Sequence, residues 1–186
     1  MKKQYVLVVD LDKCFGCKGC SVSCHNEHDM PPDVNFCRVD QVGPTGQFPD
    51  LIMSYFPRSC MHCNRPSCVE ACMTGAAFIN DDGIVIIDAD QCSGCKECIE
   101  ACPYGACYYN KEKQIVQKCD MCLHLVTDGD MPNCVTNCPG LARFFGDINN
   151  PESTVAKILK ENEDRVFTDR EDLNTKPNVY YLSVRK

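Results

Sequence analysis

The chain has 186 residues, of which 18 are cysteine, 26 acidic and 19 basic, for a formal charge of -7. With the cysteines set aside, its apolar content is thin, and a core built on side-chain burial alone would be marginal. The acidic balance excludes nucleic acid as a partner and favours docking on a complementary protein surface, while the absence of any run of eighteen apolar residues excludes a membrane span.

The opening, MKKQYVLVVDLDKC, predicts a strand over Tyr5–Asp10 rather than a signal peptide, so the expectation is a chain without leader or anchor of its own. The first cysteine group follows: Cys14, Cys17, Cys20 and Cys24 in CFGCKGCSVSC. Residues 30–50 are rich in Pro, Gly and Asp and read as a link. A second group, Cys60, Cys63, Cys68 and Cys72, widens the middle gap by two residues in CMHCNRPSCVEAC. Residues 76–80 and 84–88 then predict a hairpin about Asp81-Asp82-Gly83. The third group, Cys92, Cys95, Cys98 and Cys102 in CSGCKECIEACP, restores the spacing of the first and precedes Pro103. Cys107–Asn110 and residues 114–118 predict a second hairpin, and helices are expected just after Cys68 and Cys98. In the fourth group, Cys119, Cys122, Cys134 and Cys138, eleven residues separate the second cysteine from the third. A strand over 142–148 comes next. The tail predicts a helix capped by Asn150, with Pro151 in its first turn, running to Glu163, and then a strand in NVYYLSV.

So many cysteines admit disulfides, zinc or iron–sulfur clusters. Disulfides need an oxidising compartment, and structural zinc has no use for separations of 3, 3 and 4 followed by proline. That run is the bacterial ferredoxin pattern: three close thiolates reach three irons of one cubane, and the fourth serves the other cluster of a pair. Gly16, Gly19 and Gly94 suit such loops by permitting close approach and positive φ. The fourth cysteine is expected to begin a helix and point away. Four oxidised clusters, each about -2 with its thiolates, bring the chain to roughly -15.

The fold class expected is α+β, with two nested two-cluster ferredoxin-like units and a C-terminal helix and strand tail. Residues 1–49 and 113–150 form the outer unit, 50–112 the inserted inner unit, and 151–186 a tail packing on the core or a partner. The crossed-cysteine rule then predicts four ligand sets. Set one is Cys14, Cys17, Cys20 and Cys138, and set two is Cys119, Cys122, Cys134 and Cys24. Set three is Cys60, Cys63, Cys68 and Cys102, and set four is Cys92, Cys95, Cys98 and Cys72.

CMHCNRPSCVEACMTGA, CPYGA, QKCDMC, CVTNCPGLARFFGD and TKPNVYYL, in this order, resemble landmarks of the iron–sulfur subunits of molybdopterin oxidoreductases of the dimethyl sulfoxide, polysulfide and thiosulfate reductase type. The resemblance covers nearly the whole chain. It implies four 4Fe-4S clusters in a non-catalytic electron-transfer subunit, set against a large subunit that carries the molybdopterin cofactor. Some relatives add a membrane subunit that exchanges electrons with quinone, and others are exported folded with a signal-bearing partner. The compartment therefore stays open between cytoplasm and the periplasmic side. A free polyferredoxin or hydrogenase-linked carrier is the alternative function.

Outside the sets stand Cys37 and Cys107, expected to pack as small apolar residues. His25, His28, His62 and His124 read as packing or hydrogen-bonding groups because every set is already complete. Lys18 and Lys96, between the second and third cysteines of their runs, read as exposed lysines, and Tyr104, Tyr108 and Tyr109 as packing. No catalytic triad or phosphate loop stands out.

Overall fold

The computed structural model describes residues 2–32 and 34–184. In chain order its elements are β1 (Tyr5–Asp10), α1 (Gly19–Glu27), β2 (Arg38–Thr45), β3 (Ile52–Arg58), α2 (Ser67–Glu70), β4 (Ala77–Ile79), β5 (Val85–Ile87) and α3 (Glu97–Ala101). They continue with β6 (Cys107–Asn110), β7 (Ile115–Lys118), α4 (Leu123–Thr127), α5 (Asn133–Thr136), β8 (Arg143–Asp147), α6 (Thr154–Glu161), β9 (Val166–Thr168) and β10 (Val179–Leu182). The α+β class holds. β1 and β6 occupy their expected residues, and the other expected strands are trimmed at their ends.

β1 organises the main sheet, a four-stranded layer in the order β8-β1-β10-β9. Its run of apolar residues has no polar alternation because both faces are covered. Leu7 and Val9 face a cluster that holds Cys60, Cys63, Phe145 and Tyr181, whereas Val6 and Val8 pack on Val155 of α6 and Leu182 of β10. Successive strand residues point to opposite faces, so one short strand ties the cysteine-rich side to a cysteine-free side. β8 lies antiparallel to β1, with Leu7 opposite Phe145, and so brings the chain just after Cys138 beside the chain just before Cys14. β4–β5 and β6–β7 are separate two-stranded hairpins, and α2 packs against α3 beside them.

Two expectations, for the tail helix and for residues 30–50, need correction, while the tail strand finds its place in the main sheet: β10 enters between β1 and β9, parallel to β1. Burial explains this, because Val179, Tyr181 and Leu182 are almost wholly enclosed and the Tyr181 hydroxyl donates to the Pro57 carbonyl at 2.9 Å. The tail helix is capped by Ser153, whose Oγ accepts from the Ala156 N–H at 3.2 Å, and it ends at Glu161. Asn150 instead accepts from the Glu152 N–H at 3.0 Å, closing a turn ahead of the helix. Finally, residues 30–50 are more than a link, since β2 pairs antiparallel with β3. Pro44 falls in the register shift between Val42 and Thr45, where the ladder is already interrupted and its missing N–H matters little.

Candidate metal centres

The third cysteine of every group occupies the second residue of a helix: Cys20 in α1, Cys68 in α2, Cys98 in α3 and Cys134 in α5. The expectation that the fourth cysteine begins the helix is thereby corrected. It sits four residues on, inside α1 for Cys24 and just past the helix for Cys72, Cys102 and Cys138. A single helical turn rises about 5.4 Å, which separates the third thiol from the fourth along the axis. In the two regular runs, Lys18 and Lys96 adopt left-handed backbone (φ 59° and 69°) immediately before the helix and are exposed; Pro66 and Pro132 hold the equivalent place in the expanded groups.

Gly16 and Gly94 sit at matching loop positions with φ +73° and +69°. A Cβ on Gly16 would lie 2.3 Å from the Tyr55 ring, and one on Gly94 would lie 2.3 Å from the Gln114 carbonyl oxygen. These glycines are required by both conformation and space. Gly19 is not among the positive-φ residues, and its Cβ position is ordinary.

Backbone N–H groups turn toward the sulfurs. Gly19 N–H donates to Cys17 Sγ at 3.5 Å, Ala77 N–H to Cys72 at 3.3 Å, Val116 N–H to Cys92 at 3.4 Å, Met121 N–H to Cys119 at 3.5 Å and Ala142 N–H to Cys138 at 3.3 Å. Such donors favour a charged thiolate over a neutral thiol.

Three cavities gather cysteines from distant parts of the chain. One is lined by Cys14, Cys17, Cys20 and Cys138. A second is lined by Cys24, Cys119, Cys122 and Cys134, together with Cys37, Cys60, His62 and Arg143. A third is lined by Cys60, Cys63, Cys68 and Cys102 with Cys107. Cys60 borders both the second and the third. Of the remaining four, Cys92 and Cys98 share an apolar cluster with Cys68, Cys102 and Cys107, Cys72 follows α2, which packs on α3, and Cys95 is exposed in the loop before α3. Exposure differs along the series. Cys17 and Cys95 are exposed, whereas Cys60, Cys63, Cys68 and Cys122 are buried.

The two cysteines outside the sets do more than pack. Cys37 is hydrogen-bonded to Cys20, and this bond, outweighing burial, pulls the Cys20 thiol down to about 6. Cys107 acts likewise on Cys102, brought to about 6, on Cys98, brought to about 7, and on Cys68, which is also lowered. At Cys63 and Cys122 burial dominates and pushes both up to about 12. His28 Nε2 lies 3.6 Å from Cys122 Sγ, and Asp120 lies beside both.

Two cations are buried near these cysteines, and one of them, Arg143, lines two of the cavities. Lys118 is enclosed, donates to the Val85 and Cys119 carbonyls, and is 6% exposed. Burial alone would lower its pKa, but the charges of Cys60, Cys119, Cys107 and Cys68 outweigh that and raise it. Arg143, 4% exposed, places Nη1 3.5 Å from Cys37 Sγ. Among the described residues, the buried side-chain nitrogens without a partner are Arg143 Nε and His62 Nε2. His62 Nδ1 accepts from the Val85 N–H at 3.2 Å, so Nε2 carries the ring proton. Both orphan donors belong to residues that line the cavity of Cys24, Cys119, Cys122 and Cys134. Thiols gathered in fours, N–H groups aimed at sulfur and unpaired donors beside a cavity fit an anionic, sulfur-rich group such as a 4Fe-4S cluster. Arg143 lies within the landmark CVTNCPGLARFFGD and opens β8 directly before Phe144 and Phe145, and a cation beside such an apolar pair is the local signal for burial.

Residues 51–148 match the family model described as a 4Fe-4S dicluster domain. The B subunit of the selenate reductase of Mesobacillus selenatarsenatis is 38% identical, covering 97% of this chain and 72% of its own. The corresponding polypeptide of the polysulfide reductase of Wolinella succinogenes is 37% identical, over 98% of this chain and 95% of its own. That of the tetrathionate reductase of Salmonella typhimurium is 36% identical, over 98% and 74% respectively.

Proposed function

Because this chain belongs to the 4Fe-4S dicluster family, among the iron–sulfur subunits of the molybdopterin oxidoreductases, we propose that it is a non-catalytic electron-transfer subunit holding four 4Fe-4S clusters. Its partner is a large catalytic subunit that carries a molybdenum or tungsten molybdopterin cofactor. Each cluster, when bound, takes up and returns one electron with little rearrangement. The chain supplies thiolate ligands, directed N–H donors and exclusion of water.

The carrying observation is that three separate cavities are lined by the crossed combinations expected of ligand sets one, two and three. Under this reading Cys138 completes the site of Cys14, Cys17 and Cys20, and Cys24 completes that of Cys119, Cys122 and Cys134. Cys102 completes the site of Cys60, Cys63 and Cys68. Set four joins Cys72 to Cys92, Cys95 and Cys98. An inner unit of residues 50–112 is nested in an outer unit of 1–49 and 113–150.

The sites follow one another in the order one, two, three, four. Arg143 borders the cavities of sets one and two, Cys60 those of two and three, and Cys107 lines the cavity of three and packs with Cys92 and Cys98 of four. Exposed cysteines fall in the two end sets, which suits a conductor that exchanges electrons at its ends and shields its middle. No helix among the described residues is long and apolar enough to cross a membrane, so any quinone-reactive membrane subunit is a further chain. Anaerobic purification with the neighbouring large chain is the test. About sixteen irons per copy of this chain, four for each 4Fe-4S site, and a molybdopterin-bearing partner are expected. A stable, isolated monomer or a zinc-loaded chain would contradict the reading.

A further inference from the structure

Arg143 and Cys37 lie between two of the cysteine-lined cavities and belong to neither predicted ligand set. Arg143 is the shared wall, lining both the cavity of set one and the cavity of set two. Its guanidinium reaches Cys37 Sγ at 3.5 Å, and Cys37 in turn packs in one cluster with Cys20 and lines the cavity of set two. Ser21 fixes Cys37 from the other side by donating to its backbone carbonyl. Among the described residues no carboxylate is paired with Arg143, and its Nε has no partner.

A guanidinium keeps its proton throughout the working pH range, so the charge is permanent. Burying it without a carboxylate is costly unless other anions compensate. The anions within reach are cysteine sulfurs from both sets, and the charge acts on Cys14 and Cys20 on one side and on Cys24 and Cys134 on the other. An enclosed positive charge favours the more negative, reduced state of any redox group beside it.

We propose that Arg143 is a potential-setting residue, held by Cys37 between sites one and two, whose fixed charge raises the reduction potentials of both outer sites and leaves sites three and four unchanged. The inference rests on the four-cluster reading above. It assigns a role to two residues outside the ligand sets. By biasing two neighbouring sites with one charge, it makes both of them better electron acceptors than they would be without it.

The experiment is an EPR-monitored redox titration of the anaerobically purified complex carrying Arg143→Met, Arg143→Gln, Arg143→Lys or Cys37→Ala. Iron is counted first. A wild-type complex far short of about sixteen irons overturns the four-cluster reading, whereas a full complement followed by unmoved potentials overturns this proposal alone. The neutral variants should lower the equilibrium constant for reduction at least tenfold at two sites, about 59 mV for a one-electron couple. The other two potentials should stay in place, and Arg143→Lys should restore most of the shift. Equal shifts at all four sites, or a lysine variant that behaves like methionine, would contradict the assignment. Should the neutral variants lose their clusters, Cys37→Ala keeps the charge but frees the guanidinium. It must then move the same two potentials and no others, and no movement there overturns the proposal.

Discussion

Two cores of the molecule are of different kinds. On one side Val6, Val8, Val155 and Leu182 form a cluster without a single cysteine. Across the molecule, the hairpins β4–β5 and β6–β7 and the helices α2 and α3 close over Cys68, Val85, Cys98, Cys107 and Val116, where three of the five buried members are cysteines. The first core is held by ordinary apolar burial, worth about 25 cal/mol per Å². The second is assembled from groups that we assign to metal ligation or to its immediate support. On that assignment, the chain joins a sheet that folds on its side chains to a region expected to fold with its cofactor.

Removing the metal should break that comparison most visibly. Anaerobic chelation of iron, followed by hydrogen exchange, should abolish protection in β4 to β7 while β1, β8 and β10 keep measurable protection. Equal loss in both regions would mean that the sheet also depends on the clusters. Leu182→Ala attacks the cysteine-free side and should cost about 2–5 kcal/mol in anaerobic denaturation, with the iron content of the folded protein unchanged. Ser153→Ala removes the cap of α6 and should cost about 0.5–2 kcal/mol, whereas Asn150→Ala, which loosens only the preceding turn, should cost less. If the Asn150 variant proves the more damaging, the helix begins where the sequence suggested and the capping account fails.

Much of this was legible from spacing. Glycines in CFGC and CSGC, hairpin turns at Asp81-Asp82-Gly83 and Lys111-Glu112-Lys113, and the strand before Cys14 each carry their own local signal, and each forms where expected. What escaped were features decided by distant partners. Residues 179–182 read as a strand, but nothing local says that they pair with residues 7–10, because parallel pairing is fixed by burial of both faces. β2 was obscured by Pro44, which is tolerated only because a register shift falls there. Ser153 and Asn150 are both good caps by residue type, and the pairing of Ser153 Oγ with the Ala156 N–H emerges only in three dimensions. Arg143 could be seen as a charge beside Phe144 and Phe145, but not as a charge shared between two cavities.

Crossed ligation is the claim on which the order of the sites, the nesting and the role of Arg143 all depend, and one substitution addresses it. Cys138→Ser, studied by EPR in the anaerobically reduced complex and compared with Cys14→Ser and Cys134→Ser, should alter the same signal as Cys14→Ser and leave the signal sensitive to Cys134→Ser intact. If Cys138→Ser instead alters the signal that Cys134→Ser alters, each cysteine group binds its own cluster and the crossed arrangement is wrong.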